Sequence, residues 1–240
     1  MRAALLAPVL LVLALAGCAA ADEGEVRVAA AASLNGAFEE IVAEFEKAHP
    51  DIDVAPVVYD GSSTLAVQVE EGAPIDVVAF ANEPTMERIA DVTTEPRIFA
   101  TNTLVIAVPT GSAGIEDLDD LTDPALDVVV CAEEVPCGAA TVEALQGAGI
   151  DLDAASYEQN VTAVALKVQN ATADAGLVYR TDAAATEGVE AVEDPRLDAV
   201  VNRYPIALAR DAGDGAQAFA DFVLSDAGQA VLAEWGFGTP

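Results

Sequence analysis

The chain has 240 residues, 53% hydrophobic and 21% charged, which supplies a buried core for one or two domains and excludes disorder as the main state. Acidic residues outnumber basic ones 41 to 10, for a net charge of −31, a surface that repels phosphate backbones and anionic headgroups and so excludes nucleic-acid binding and electrostatic membrane association as leading functions. One histidine and three cysteines leave little material for a histidine-based metal site or a catalytic triad.

Residues 1–17 place one basic residue, Arg2, before an apolar run that is shorter than a bilayer span and patterned like a secretory signal. Leu15-Ala16-Gly17-Cys18 resembles the lipobox of bacterial lipoproteins. Cys18 is therefore expected to carry acyl chains, with 18–24 as a tether, and to hold the chain at the outer face of the cytoplasmic membrane. An exported chain folds in an oxidising compartment. Cys131 and Cys137 then read first as a small disulfide loop, the alternative being two unpaired cysteines that merely pack.

Alternation of strand and helix follows. Val26–Ala32 is an apolar run suited to a buried parallel strand. The next segment, Asn35–Ala48, carries apolar residues at helical spacing, with Ser33 in its N-cap region. Ile52–Tyr59 reads as a strand, Gly61-Ser62-Ser63-Thr64 opens a helix, Ile75–Ala81 is a strand, and Pro84 starts another helix. Strands are predicted at Asn102–Pro109, Asp127–Cys131, Ala175–Tyr179 and Tyr204–Ala209. Helices are predicted at Gly138–Ala148, Val161–Asn170, Asp214–Leu224 and Asp226–Trp235, with Thr181-Asp182 as a further cap. The pattern favours an α/β architecture with mostly parallel sheets. The segments near Asn102 and Tyr204 are candidates for paired crossings between two lobes. The division that follows is 25–101 plus 205–240 for lobe I and 102–204 for lobe II.

Three segments share a physical character: Ala31-Ala32-Ser33-Leu34, Gly61-Ser62-Ser63-Thr64 and Pro136-Cys137-Gly138-Ala139 each lie between a strand and a helix start. Helix starts expose unpaired N–H groups and a partial positive charge. Taken singly, each reads as a cap; converging, they would form an anion site without lysine or arginine. Asn160-Val161 offers another such start, and Tyr179, at a strand end, either points its hydroxyl into a cleft or leaves it in water.

Those segments occur in one order with Gly72-Ala73-Pro74-Ile75-Asp76-Val77, Val178-Tyr179-Arg180-Thr181-Asp182, Tyr204-Pro205-Ile206-Ala207 and Trp235-Gly236-Phe237. The ordered set resembles the molybdate-binding proteins of bacterial molybdate ABC importers, over essentially the whole mature chain. The resemblance implies the two-lobed, type II-like periplasmic-binding-protein fold, with molybdate or tungstate held between the lobes and delivered to a permease. It implies Ser33 and Ser62 as hydroxyl and amide donors, Cys137 and Val161 as amide donors, and Tyr179 as a hydroxyl donor. All would reach the metal only through the oxygens of the ion. Cys137 departs from the alanine usual in the family. A monomer without cofactor is expected. The rival readings are a binding protein for sulfate, phosphate or an organic acid, a surface sensor or adhesin of the same fold, and an enzyme. An organic acid would call on Arg180 or Arg203, and no nucleophile–base pair supports an enzyme, His49 being a helix-end residue.

Overall fold

The computed structural model describes residues 25–240. The expected signal sequence, the Cys18 anchor and the tether lie outside the described residues. No helix among the described residues is long and apolar enough to cross a membrane.

The order of elements is β1 (Glu25–Val26), β2 (Val28–Ala31), α1 (Asn35–Ala48), β3 (Asp53–Val54), β4 (Val58–Asp60), α2 (Ser62–Glu70), β5 (Val77–Ala79), α3 (Glu83–Glu87) and β6 (Arg97–Pro109). Then come β7 (Val128–Cys131), α4 (Pro136–Ala148), β8 (Ser156–Glu158), α5 (Val161–Gln169), β9 (Ala175–Tyr179), α6 (Arg180–Ala185), β10 (Val189–Val192), β11 (Val201–Leu208), α7 (Asp214–Val223) and α8 (Asp226–Glu234).

Two expected strands are split. The first breaks at Arg27, whose amide and guanidinium both donate to the Asp76 carboxylate at 2.8 Å. The backbone turns there, so β1 pairs in parallel with β3 while β2 pairs with β4 and β5. The second, Ile52–Tyr59, breaks around Pro56, which has no N–H for a ladder. β8 and β10 were absent from the sequence pattern; β8 is a three-residue polar edge segment and β10 only four residues long, both too short to show a period.

A nine-stranded sheet runs β4-β2-β5-β11-β6-β9-β7-β8, with β10 paired to β6. Each end is parallel: β4, β2 and β5 on one side, β9, β7 and β8 on the other. The middle is antiparallel, because β11 pairs with β5 and with β6, and β6 with β9. The sheet is thus mixed, with parallel wings, where sequence alternation alone suggested mostly parallel pairing. β6 and β11 join the wings, with Asn202 opposite Asn102 and a register break between Tyr204 and Pro205. The two segments expected as paired crossings therefore do pair. Helices cover both wings, as the two-lobed periplasmic-binding-protein fold requires.

The first wing is held by α1, whose Phe38, Ile41 and Phe45 are fully buried. Phe45 meets Phe219 of α7 edge-on at 5.2 Å between centroids. Burying one such ring stabilises by about 1.5–3 kcal/mol. His49 ends α1 and stacks on Phe45 at 4.7 Å, a packing role. In the second wing, Asp194 is buried and accepts from Leu118 N and the Arg196 guanidinium. The adjacent guanidinium holds its carboxyl well below the usual carboxylate range.

Candidate functional site

Segments far apart in sequence end at one point. The chain leaves β2 through a 3₁₀ turn at Ala32–Leu34, α2, α4 and α5 start at Ser62, Pro136 and Val161, and β9 stops at Tyr179. All five residues that the sequence nominated line the same cavity: Ser33, Ser62, Cys137, Val161 and Tyr179. It holds about 20 Å³ of space for the centre of a water molecule, room for a compact body about 3 Å in radius.

Each helix start leaves free amides by a different local device. At α2 the N-cap is Gly61, which has no side chain with which to occupy the first-turn N–H groups. At α5, Asn160 Oδ1 accepts from Ala163 N at 2.9 Å, in the capping position, leaving the amide of Val161 unused. At α4, Pro136 has no N–H, and Gly138 and Ala139 both donate to Val135 O at 3.0 Å. The amide of Cys137 is the donor left over in that turn. Cys137 is disulfide-bonded to Cys131, with 5.7 Å between their Cα atoms. It therefore offers the cavity an amide and no thiol, and the bridge ties the start of α4 to the end of β7. The loop packs tightly there: a Cβ on Gly138 would lie 1.8 Å from Ala132 O.

The hydroxyls are equally constrained. Ser62 Oγ accepts from Ala81 N at 3.0 Å, which leaves its single proton to donate. Tyr179 Oη accepts from Asn202 Nδ2 at 2.9 Å. Ser33 Oγ lies 3.1 Å from Tyr204 Oη. Ser33 does not cap α1, as its position before that helix suggested. The intervening 3₁₀ turn makes Leu34 the N-cap and turns the Ser33 hydroxyl to Tyr204 instead. Tyr179 is 1% exposed, so its hydroxyl is not in bulk water, and burial pushes its pKa up. The phenol stays protonated and remains a donor.

No lysine or arginine lines the cavity. Arg180 is engaged by Glu193 and Asp198, and Arg203 by Glu83. Asp182 sits inside the first turn of α6, not at its cap, which is Tyr179. Its burial raises its carboxyl pKa to about 8, so at neutral pH it is protonated and sets no negative charge beside the cavity. Larger clefts exist, and neither contains more than one of the five nominated residues. One of about 380 Å³ lies on the far side of Ser33, between Gly36, Leu166, Asp182 and Trp235. Another of about 490 Å³ carries Asp119, Asp120, Asp123 and Asp174. No group of three or more histidine, cysteine or acidic residues among the described residues is placed to hold a metal ion.

The wings touch at the rim of the cavity. Ser63 Oγ donates to Glu134 O at 2.6 Å, and Asn160 Nδ2 donates to Asp60 Oδ1 at 3.1 Å. Gly61 faces the Gln159 carbonyl so closely that a Cβ would lie 2.3 Å from it. Sequence reading included Gly61 in a donor segment but did not foresee its contact across the rim, and it missed Ala81, Asn202 and Tyr204 as contributors. Asn202 lay outside the expected strand Tyr204–Ala209, which the structure extends back to Val201.

Two α/β wings closed over a cavity that offers only hydrogen-bond donors define a solute-binding protein for a small acceptor-rich ligand. The chain belongs to the bacterial extracellular solute-binding proteins, whose sequence model matches residues 26–238. The molybdate-binding protein ModA of Mycobacterium bovis is 40% identical over 220 residues, 89% of this chain and 84% of the relative. The periplasmic molybdate-binding protein of Azotobacter vinelandii superposes with a TM-score of 0.73 at 17% identity, covering 90% of this chain and 99% of that one. The sulfate-binding protein SubI of Mycobacterium tuberculosis superposes as well, with a TM-score of 0.74 at 19% identity, 89% of this chain and 86% of that one. Likeness at that level of identity establishes the fold and does not choose among oxyanions.

Proposed function

We propose that this chain captures molybdate, and tungstate with little preference between them, and hands it to an ABC permease. The observation that carries the reading is the convergence of Ser33, Ser62, Cys137, Val161 and Tyr179 on one small cavity. A tetrahedral dianion offers acceptors on every side, and this set offers donors. A protonated oxyanion such as hydrogen phosphate needs an acceptor for its proton, and a buried polar atom left unpaired costs about 1–3 kcal/mol. Sulfate is bare at neutral pH, so size alone separates it from the larger molybdate. The 40% identity to a molybdate-binding protein supports molybdate over sulfate.

In this reading lobe I comprises 25–101 and 205–240, and lobe II 102–204, the two moving about β6 and β11. Export, removal of 1–17 and acylation of Cys18 place the protein, as a monomer, at the outer face of the cytoplasmic membrane. No catalysis is assigned to it. The net charge of −31 opposes the dianion at long range, but salt screens this beyond about 8–10 Å, and the fixed local dipoles act inside that distance.

Thermal unfolding of the purified chain with molybdate, tungstate, sulfate and phosphate tests the proposal. A ligand at about 1,000 times its Kd stabilises by about 4 kcal/mol. Midpoint shifts with molybdate and tungstate alone are expected. A shift with sulfate alone moves the assignment to sulfate, and equal shifts with all four remove the size argument.

A further inference from the structure

We infer that Asn202 is a positioning residue that fixes the Tyr179 hydroxyl as a donor toward the cavity, and so helps exclude protonated oxyanions; this rests on the oxyanion reading above. Asn202 lies on β11, in the middle of the pair of strands joining the wings. It is buried. Its Nδ2 is 3.0 Å from Ala81 O and 2.9 Å from Tyr179 Oη. A backbone carbonyl can only accept, so the atom facing Ala81 must be the amide NH₂ and not the amide oxygen. The same nitrogen meets Tyr179, so its two protons go to Ala81 and to the phenol oxygen. The acceptor role of the Tyr179 oxygen toward the protein is thereby filled, and its one proton is left to give away. The Tyr204 ring packs edge-on to Tyr179, centroids 5.9 Å apart, and a dianion is a stronger acceptor than a neighbouring phenol.

Ser62 is treated in the same manner from the other wing. Its oxygen accepts from Ala81 N, the residue whose carbonyl Asn202 holds. One chain of contacts, Ser62–Ala81–Asn202–Tyr179, therefore presets two hydroxyls as donors. Asn202 is its central member, bonded to β5's extension on one side and β9's end on the other. A hydroxyl free to rotate can accept from a protonated ligand; one whose oxygen already accepts a protein hydrogen bond has a lone pair fewer to offer and its proton aimed elsewhere, so it serves a protonated ligand less well.

The decisive substitution is Asn202→Asp, which keeps shape and reverses polarity. The new carboxylate accepts a hydrogen bond from the Tyr179 hydroxyl and leaves the phenol oxygen facing the ligand as an acceptor. Titration calorimetry of the full chain in detergent, with sodium molybdate and then sodium phosphate, is run for Asn202→Asp and Asn202→Leu, each with and without Tyr179→Phe. Molybdate affinity should fall at least tenfold in Asn202→Asp and about threefold in Asn202→Leu. Phosphate should lose less than molybdate in Asn202→Asp, so selectivity narrows. With Tyr179→Phe present, Asn202→Leu should cost no more than about twofold, while Asn202→Asp should retain only the loss due to its charge, shared by molybdate and phosphate. If Asn202→Asp fails to fold, Asn202→Leu in the two backgrounds carries the same comparison. Equal losses with and without the Tyr179 hydroxyl, or unchanged selectivity in a folded Asn202→Asp chain, overturn the proposal while leaving the oxyanion reading intact. An unmodified chain that binds none of the ions overturns both.

Discussion

The two wings approach the cavity with different chemistry. The first supplies hydroxyls, from Ser33 and Ser62, beside the amides of their turns. The second supplies main-chain amides at Cys137 and Val161, with one phenol. A hydroxyl can be deleted by substitution; a main-chain donor survives any side-chain change and is lost only when its backbone moves. The first wing's share of the grip is therefore written in residue identity, and much of the second wing's in shape. Side-chain replacement should expose the one and largely miss the other.

The most disruptive test is a single methyl group between the wings. Gly61→Ala puts a Cβ against the Gln159 carbonyl, while its φ of −56° suits any residue. The wing should fold and the rim should fail to close, with molybdate affinity down at least a hundredfold in calorimetry and little change in the ligand-free melting midpoint. Ser62→Ala comes next. It removes a donor and strands the Ala81 amide, which should cost about 1–3 kcal/mol of binding, or roughly fivefold to 150-fold in Kd. Val161→Ala keeps its amide and should stay within about threefold; a loss as large as that of Ser62→Ala would break the contrast between the wings.

The disulfide offers a sharper version. Replacing Cys131 and Cys137 together by alanine retains both amides. Chain-entropy reasoning for so short a loop predicts a loss of about 2 kcal/mol in folding stability. Affinity should drop only a few-fold, through a less firmly held α4 start, as read by denaturant unfolding and calorimetry on the same samples. The last test concerns folding stability against pH and not affinity. Asp182 is raised from 3.8 to about 8 by burial, so the folded chain retains a proton that the unfolded chain releases. Stability should therefore decline as pH rises from about 4 to about 8 and level off above. Asp182→Asn should flatten that slope in melting curves recorded across the range.

Much of this was legible before any coordinates. The ends of α1 and β9 agree with the periodicity, because each is a long apolar pattern with clear boundaries. The five cavity residues were named from their place between strands and helix starts and from family resemblance. What stayed hidden depends on contacts across the molecule. The break at Arg27 comes from Asp76, 49 positions on. Ser33 looked like a cap because a 3₁₀ turn leaves no mark in a sequence, and its partner Tyr204 is 171 positions away. Gly61 reads as the start of a donor segment, and nothing local announces the carbonyl of Gln159 beside it. Asp182 reads as a helix cap, and its burial is not legible locally.

The bridge made by Asn202 has a mechanical consequence. Its two partners, Ala81 and Tyr179, belong to opposite wings, and it sits on a strand that joins them. If the two lobes open about β6 and β11 as proposed, that motion has to break the Asn202 amide away from Ala81 or from Tyr179. Bending the strands that join the wings would then loosen the grip on the ligand without touching the ligand itself.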